Sequence, residues 1–169
     1  MSKAYILGAL HDATECKYTY RLSQKEKEYI EFVASLVKKT GHKAWIYREG
    51  KSRNLYVVEF AKSVLNGTRV ETDEEKADYL RGYFDTEGSV PKKPEARLYI
   101  YFAQKDREDI EKAKRFLEEI GVRCGKIHNP TKKDPKYWRF FVSSQSYSDF
   151  AEKVGSWHLR KRQLLRVKI

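Results

Sequence analysis

Two kinds of hydrophobic period succeed each other along the chain, and the succession occurs twice. Tyr18, Tyr20 and Leu22 alternate with Lys17, Thr19 and Arg21, the period of two that marks a strand with one apolar face. Leu98, Ile100 and Phe102 alternate in the same way with Arg97, Tyr99 and Tyr101. Each run gives way to helical spacing: Ile30, Val33 and Val37 in the first case, Ile110, Ala113, Leu117 and Ile120 in the second. Gly41 and Gly121 stand where those helices should stop. Two further extended runs follow in each case, Lys43–Glu49 and Leu55–Phe60, then Val122–His128 and Tyr137–Ser143. Short helices are predicted over Ala61–Leu65 and Ser146–Val154.

The two units are copies at an offset of 80 residues, since Tyr20–Ile30 (YRLSQKEKEYI) recurs as Ile100–Ile110 (IYFAQKDREDI). A helix precedes each copy. The first runs from Lys3 to about His11; the second opens on a capping box of Thr72 and Glu75 and runs through Asp85. The pattern predicts an α+β protein in which helix, strand, helix, strand, strand, helix occurs twice. Its halves are residues 1–65 and 74–169 with a linker at 66–73. Strands that stay one-sided leave a sheet face in each half for a partner.

Charge indicates which partner. Lys and Arg total 35 against 24 Asp and Glu, a net of +11, while 40% apolar residues exclude a disordered tail. Residues 123–169 carry twelve Lys or Arg against three acids, a net of +9. Such a surface suits a polyanion, because each neutralised phosphate releases counterions. With 169 residues, a large modular enzyme is excluded. Cys16 and Cys124 have no zinc-ligand spacing, which predicts a reduced intracellular protein without structural metal. No apolar run has the length of a membrane span, and the N-terminus lacks a signal-peptide cleavage site. One Met, four Gln and three Asn give a thermophile-like composition.

The candidate chemistry heads each repeat. The second unit's first helix ends in LRGYFDTEGS at 80–89, and the first unit's in ILGALHDAT at 6–14. Gly8 and Gly82 would let the helices pack closely, bringing Asp12 and Glu87 together at their tips. If no gap is allowed in the first motif, Ala13 takes the acid's place instead. Two carboxylates forced together repel unless a cation lies between them. Oxygen ligands suit a hard divalent ion such as Mg²⁺, able to activate water and stabilise phosphoryl charge.

These motifs, with the strand–Gln–Lys–helix unit after each, resemble the LAGLIDADG homing endonucleases in their single-chain, two-motif form. The resemblance implies two antiparallel sheets forming a saddle on double-stranded DNA, with Asp12 and Glu87 holding Mg²⁺. It implies a monomer cutting both strands of a long asymmetric site across the minor groove, leaving 3′ overhangs and spreading its own intron. Lys17, Arg21, Arg97, Tyr99, Tyr101, Lys126 and Arg139 would face the duplex, and Lys51, Arg53, Lys132 and Lys133 its flanks. Gln24 and Gln104 would order water, with Lys25, Lys105 or Lys62 supplying transition-state charge. His11 and Asp85 are expected at the interface or as caps, Trp45, Trp138 and Trp157 in packing. The tail at 160–168 is expected as a solvated helix end or a phosphate contact. An archaeal, DNA-associated cytoplasmic setting fits. A splicing maturase, a DNA-binding regulator and a nickase using Glu87 alone are the competing readings. The second half is expected to hold the DNA backbone more strongly.

Overall fold

The computed structural model describes residues 3–169. Helix α1 (Lys3–Ala9) tightens into a 3₁₀ turn at Leu10–Asp12 and passes into β1 (Ala13–Glu15). Then come β2 (Thr19–Gln24), α2 (Lys27–Lys39), β3 (Ala44–Glu49), β4 (Leu55–Ala61) and a 3₁₀ turn at Lys62–Leu65. The second half runs α3 (Asp73–Thr86), β5 (Tyr101–Gln104), α4 (Arg107–Glu119), β6 (Trp138–Phe141), α5 (Tyr147–Lys153) and α6 (Leu159–Lys168). Thr72 and Glu75 form the expected capping box at the start of α3. Gly41 and Gly121 close α2 and α4 at φ 84° and 86°, the left-handed conformation that glycine adopts readily because it has no Cβ to clash.

The first sheet has the order β1-β2-β4-β3, antiparallel throughout. In the second, β5 and β6 pair antiparallel, and the outer strands shrink to single bridges: Ser89 with Tyr101 on one side, Cys124 with Val142 and His128 with Arg139 on the other. The strand expected over Val122–His128 is therefore absent as a continuous element. Gly125 lies in its middle and Pro130 just beyond, both poor ladder residues. The strand expected from Arg97 begins only at Tyr101, and Tyr18, assigned to an apolar face, is 70% exposed between β1 and β2. β1 itself, three residues long, is too short for a period to reveal.

One face of each sheet is buried by helices. Leu22, Val58 and Phe60 pack with Ile6, Ile30, Val33 and Val37. Ile100, Phe102 and Phe140 pack with Phe84, Ile110, Ala113, Leu117 and Phe150. The tail at 160–168, expected as a solvated helix end or a phosphate contact, is α6: Arg160, Arg162 and Arg166 are exposed, while Leu164 and Leu165 enter this second core. No helix of the described chain is long and apolar enough to cross a membrane, and both cysteines are free.

Candidate metal and nucleic-acid site

Helices α1 and α3 cross at backbone contact. A Cβ added to Gly8 would lie 1.9 Å from the Tyr79 carbonyl oxygen, and one added to Gly82 would lie 2.1 Å from that of Tyr5. Gly88 follows the same rule. Its φ is not positive, and a Cβ there would meet the Phe84 ring at 2.1 Å, so space rather than chain turning demands glycine.

The strand register fixes which acid matches which. Thr14 pairs with Arg21 and Ser89 with Tyr101, while Arg21 and Tyr101 are equivalent by the 80-residue offset. Thr14 is therefore the counterpart of Ser89, and two residues earlier Asp12 is the counterpart of Glu87; Ala13 is not. From Gly8 to Asp12 is four residues, from Gly82 to Glu87 five. The 3₁₀ turn absorbs the difference, because three steps of about 2.0 Å and one of about 1.5 Å travel as far as five α-helical steps, roughly 7.5 Å.

Glu87 is the C-cap of α3, where the helix dipole disfavours negative charge. Burial, and then the charge of Asp12, push its carboxyl up to about 7 against the opposing pull of Lys161. Among the described residues its carboxylate has no hydrogen-bond partner. Asp12 keeps an edge open to solvent; desolvation by the surrounding chain raises it to about 6, opposed by the Gln24 hydrogen bond and the Lys161 charge. Gln24 Nε2 donates to Asp12 Oδ2 at 2.5 Å. Gln104 Nε2 reaches across the halves to the His11 carbonyl at 3.3 Å, while its Oε1 accepts from the Lys105 amide. Both glutamines thus serve the Asp12 side. Among the described residues no group of three or more His, Cys, Asp or Glu is placed to hold a metal ion. Two crowded, proton-retaining carboxylates are a donor set that fits a hard divalent ion with most positions left for water and phosphate.

Comparison with known proteins identifies the fold. Residues 74–155 match the model of the LAGLIDADG-like domain. The protein has the LAGLIDADG fold. The crystal structure of I-DmoI in complex with DNA and Mn superposes with a TM-score of 0.69 at 19% identity, covering 90% of this chain and 95% of that one. The N-terminal LAGLIDADG domain of DUF199/WhiA gives 0.69 at 13%, covering 92% and 83%. Full-length DUF199/WhiA from Thermatoga maritima gives 0.69 at 14%, covering 98% of this chain and 60% of that one. No curated protein matches in sequence. At these identities the likeness to the solved structures is one of fold.

Within this fold two of the three lysines nominated for catalysis have acidic neighbours. Lys62 forms an ion pair with Glu15 and lies over the Tyr20 ring. Lys105 Nζ is 3.9 Å from Asp134, and Lys25 is exposed. The cation whose charge acts on both acids is Lys161. It is 4% exposed, and its ammonium donates to the carbonyls of Phe84 (2.5 Å), Asp85 (2.9 Å) and Gly88 (2.6 Å). Burial pushes its pKa down to about 8. Nothing in a run of Arg, Lys and Arg distinguishes it from a solvated tail.

The neighbouring polar residues are interface elements, as expected. Asp85, 1% exposed, accepts from Tyr5 Oη (2.7 Å), the Trp157 amide (3.0 Å) and Ser156 Oγ. His11 stacks on Tyr83 at 3.8 Å and bonds Tyr79 Oη at 2.6 Å. Trp157 packs on Tyr5 and Phe32 under the Arg81 guanidinium. Trp138 is half-buried beneath Arg107. Trp45, also assigned to packing, is 50% exposed and pairs across from Glu59.

The open sheet faces differ between halves. In the first, Arg21, Thr19 and Tyr47 converge on Glu59 at 3.1, 2.7 and 2.8 Å. These hydrogen bonds hold the Glu59 carboxyl below its ordinary value. In the second, the register puts aromatics at the matching places: Tyr99 stacks on Tyr101, and the Arg139 guanidinium lies 4.9 Å from the Tyr101 ring and 4.8 Å from that of Phe141. Lys17, Lys51, Arg53, Arg97, Lys126, Lys132 and Lys133 are exposed in turns, loops or segments flanking the strands. Arg160, Lys161, Arg162, Arg166 and Lys168 belong to α6, so part of the late positive charge lies on a helix packed into the core.

Proposed function

We propose that this protein is a site-specific DNA endonuclease that hydrolyses both strands with Mg²⁺ at Asp12 and Glu87, leaving 3′ overhangs and mobilising the intron that encodes it. The observation that carries the reading is the meeting of two register-equivalent carboxylates at the tips of glycine-packed helices, between two open sheet faces. A divalent ion there supplies Lewis acidity to a scissile phosphate and lowers the pKa of water. The chain's own part is positional. Gln24 fixes one oxygen of Asp12 and leaves the other free, and Gln104 anchors the backbone just before it. The exposed loop lysines and arginines suit phosphate contacts at the flanks, while Arg21, Tyr99, Tyr101 and Arg139 suit the grooves. Because two unlike halves lie on one chain, a monomer would read a long asymmetric site. I-DmoI, which has this fold, is known in complex with DNA and Mn.

The basic loops and open sheet faces would serve a DNA-binding protein or maturase without cleavage equally well, which is the second reading. Among the described residues only Asp12 has a glutamine on its carboxylate, so the two acids are not supported alike, and a nickase using Glu87 alone is the intermediate case. Incubation with a supercoiled plasmid library carrying randomised inserts, with Mg²⁺, separates these. Linear product supports the double-strand endonuclease, nicked circles the nickase, and retarded but intact plasmid the binding protein. Glu87→Gln is expected to abolish cleavage of at least one strand and keep binding; unchanged cutting refutes the assignment.

A further inference from the structure

One buried cation has been given no role in the proposed reaction. The last carbonyls of any α-helix lack intrahelical partners. At the end of α3 the Asp85 carbonyl is among these, Phe84 accepts from the Gly88 amide at 3.0 Å, and the Gly88 carbonyl lies just past the helix. Glu87 and Gly88 have negative φ, so no left-handed residue closes the helix. A single ammonium does so instead, since Lys161 bonds the carbonyls of Phe84 and Asp85 before Glu87 and of Gly88 after it. The helix bearing Lys161 follows the segment that gives the Ser156 hydroxyl and Trp157 amide to Asp85 and lays Trp157 on the first half. The other tip is held differently: Gln24 and Gln104 steady Asp12, and no lysine cap occurs there among the described residues.

We propose that Lys161 is a positioning residue for Glu87: its ammonium clamps the chain on both sides of the acid, so that the C-terminal helix sets where the second carboxylate stands. Removing the clamp leaves the Asp85 and Gly88 carbonyls without a donor, takes one of several from Phe84 and frees the end of α3, while the end of α1 keeps its own support. The importance of this clamp for cleavage rests on the reading of Glu87 as a site acid; the clamp itself does not.

Amide hydrogen exchange on the full-length, metal-free protein tests the clamp. In Lys161→Met, exchange at residues 86–90 should accelerate at least tenfold, against no more than twofold at residues 11–15. Those amides report directly, because Glu87 donates to the Tyr83 carbonyl and Ser89 to that of Tyr101. Lys161→Arg, which keeps charge and donors, should fall between, and it carries the test if the Met variant does not fold. Unchanged exchange, or equal acceleration at both tips, overturns the proposal. On a plasmid bearing an insert that the wild type cuts with Mg²⁺, Lys161→Met should accumulate nicks, sparing the strand that Glu87→Gln also spares. Equal slowing of both strands overturns the positioning role. A wild type that cuts no insert refutes the endonuclease reading alone, and the exchange result still decides Lys161.

Discussion

Replacing Gly8 with Ala attacks the contact on which the whole site depends. The new methyl would lie 1.9 Å from the Tyr79 carbonyl oxygen and 2.9 Å from the Tyr83 amide nitrogen. Both are backbone atoms of a helix, so no rotamer change relieves the clash and α1 must move away from α3. Overpacking of this kind costs about 3 kcal/mol, the upper part of the usual range. Alanine returns about 1 kcal/mol of helix propensity. The net loss of about 2 kcal/mol should lower Tm by about 4–8 °C for a chain of this size. Gly82→Ala meets the Tyr5 carbonyl at 2.1 Å and should behave alike. Because both substitutions open the same gap, the double variant should be less destabilised than the sum by about 1 kcal/mol or more. Thermal unfolding followed by circular dichroism, with calorimetry of the three variants, measures both quantities. A Tm change under about 2 °C, or strict additivity, would refute the claim that these glycines hold the helices in backbone contact.

Other consequences are as open to measurement. Glu87 and Asp12 hold their protons to about 7 and about 6 in the folded state, above the ordinary carboxylate range. A raised folded-state pKa gives stability that is complete below the unfolded value of about 4 and lost as pH climbs through the folded one. In EDTA the protein should therefore lose stability between about pH 4 and 7, and Glu87→Gln should melt higher than wild type at alkaline pH; a lower melting point there contradicts the crowding of the two acids. Asp85→Asn turns an amide NH₂ toward one of three buried donors and should cost about 3 kcal/mol in urea unfolding; a loss under 1 kcal/mol would mean that about a single exposed contact was at stake. Lys132→Ala with Lys133→Ala should weaken DNA binding and lower the log–log salt slope by about 2 if both contact phosphate; an unchanged slope removes that loop from the interface.

The sequence alone carried the duplication, because a strand's period of two and a helix's period near 3.6 are local properties written into consecutive residues. It also carried Gly8, Gly82, Asp12 and Glu87, whose meaning follows from helix geometry and the repeat. The one-residue gap before Asp12 was open until the strand register closed it, since register is a pairing between distant segments. Tertiary structure alone decided the rest. Lys161 reads as one more charge in a basic tail, and only the fold brings it to carbonyls more than 70 residues away. Lys25, Lys62 and Lys105 were nominated from their positions in sequence; the contacts of Lys62 with Glu15 and of Lys105 with Asp134 depend on neighbouring strands and loops. The outer strands of the second sheet shrank to bridges because ladder pairing needs a partner along its whole length. Which face met solvent was legible from alternation in β2 and β5 but not at Tyr18 or Trp45. What that face presents, hydrogen bonds around Glu59 in one half and stacked rings around Arg139 in the other, depends on side chains brought across the sheet by non-local pairing.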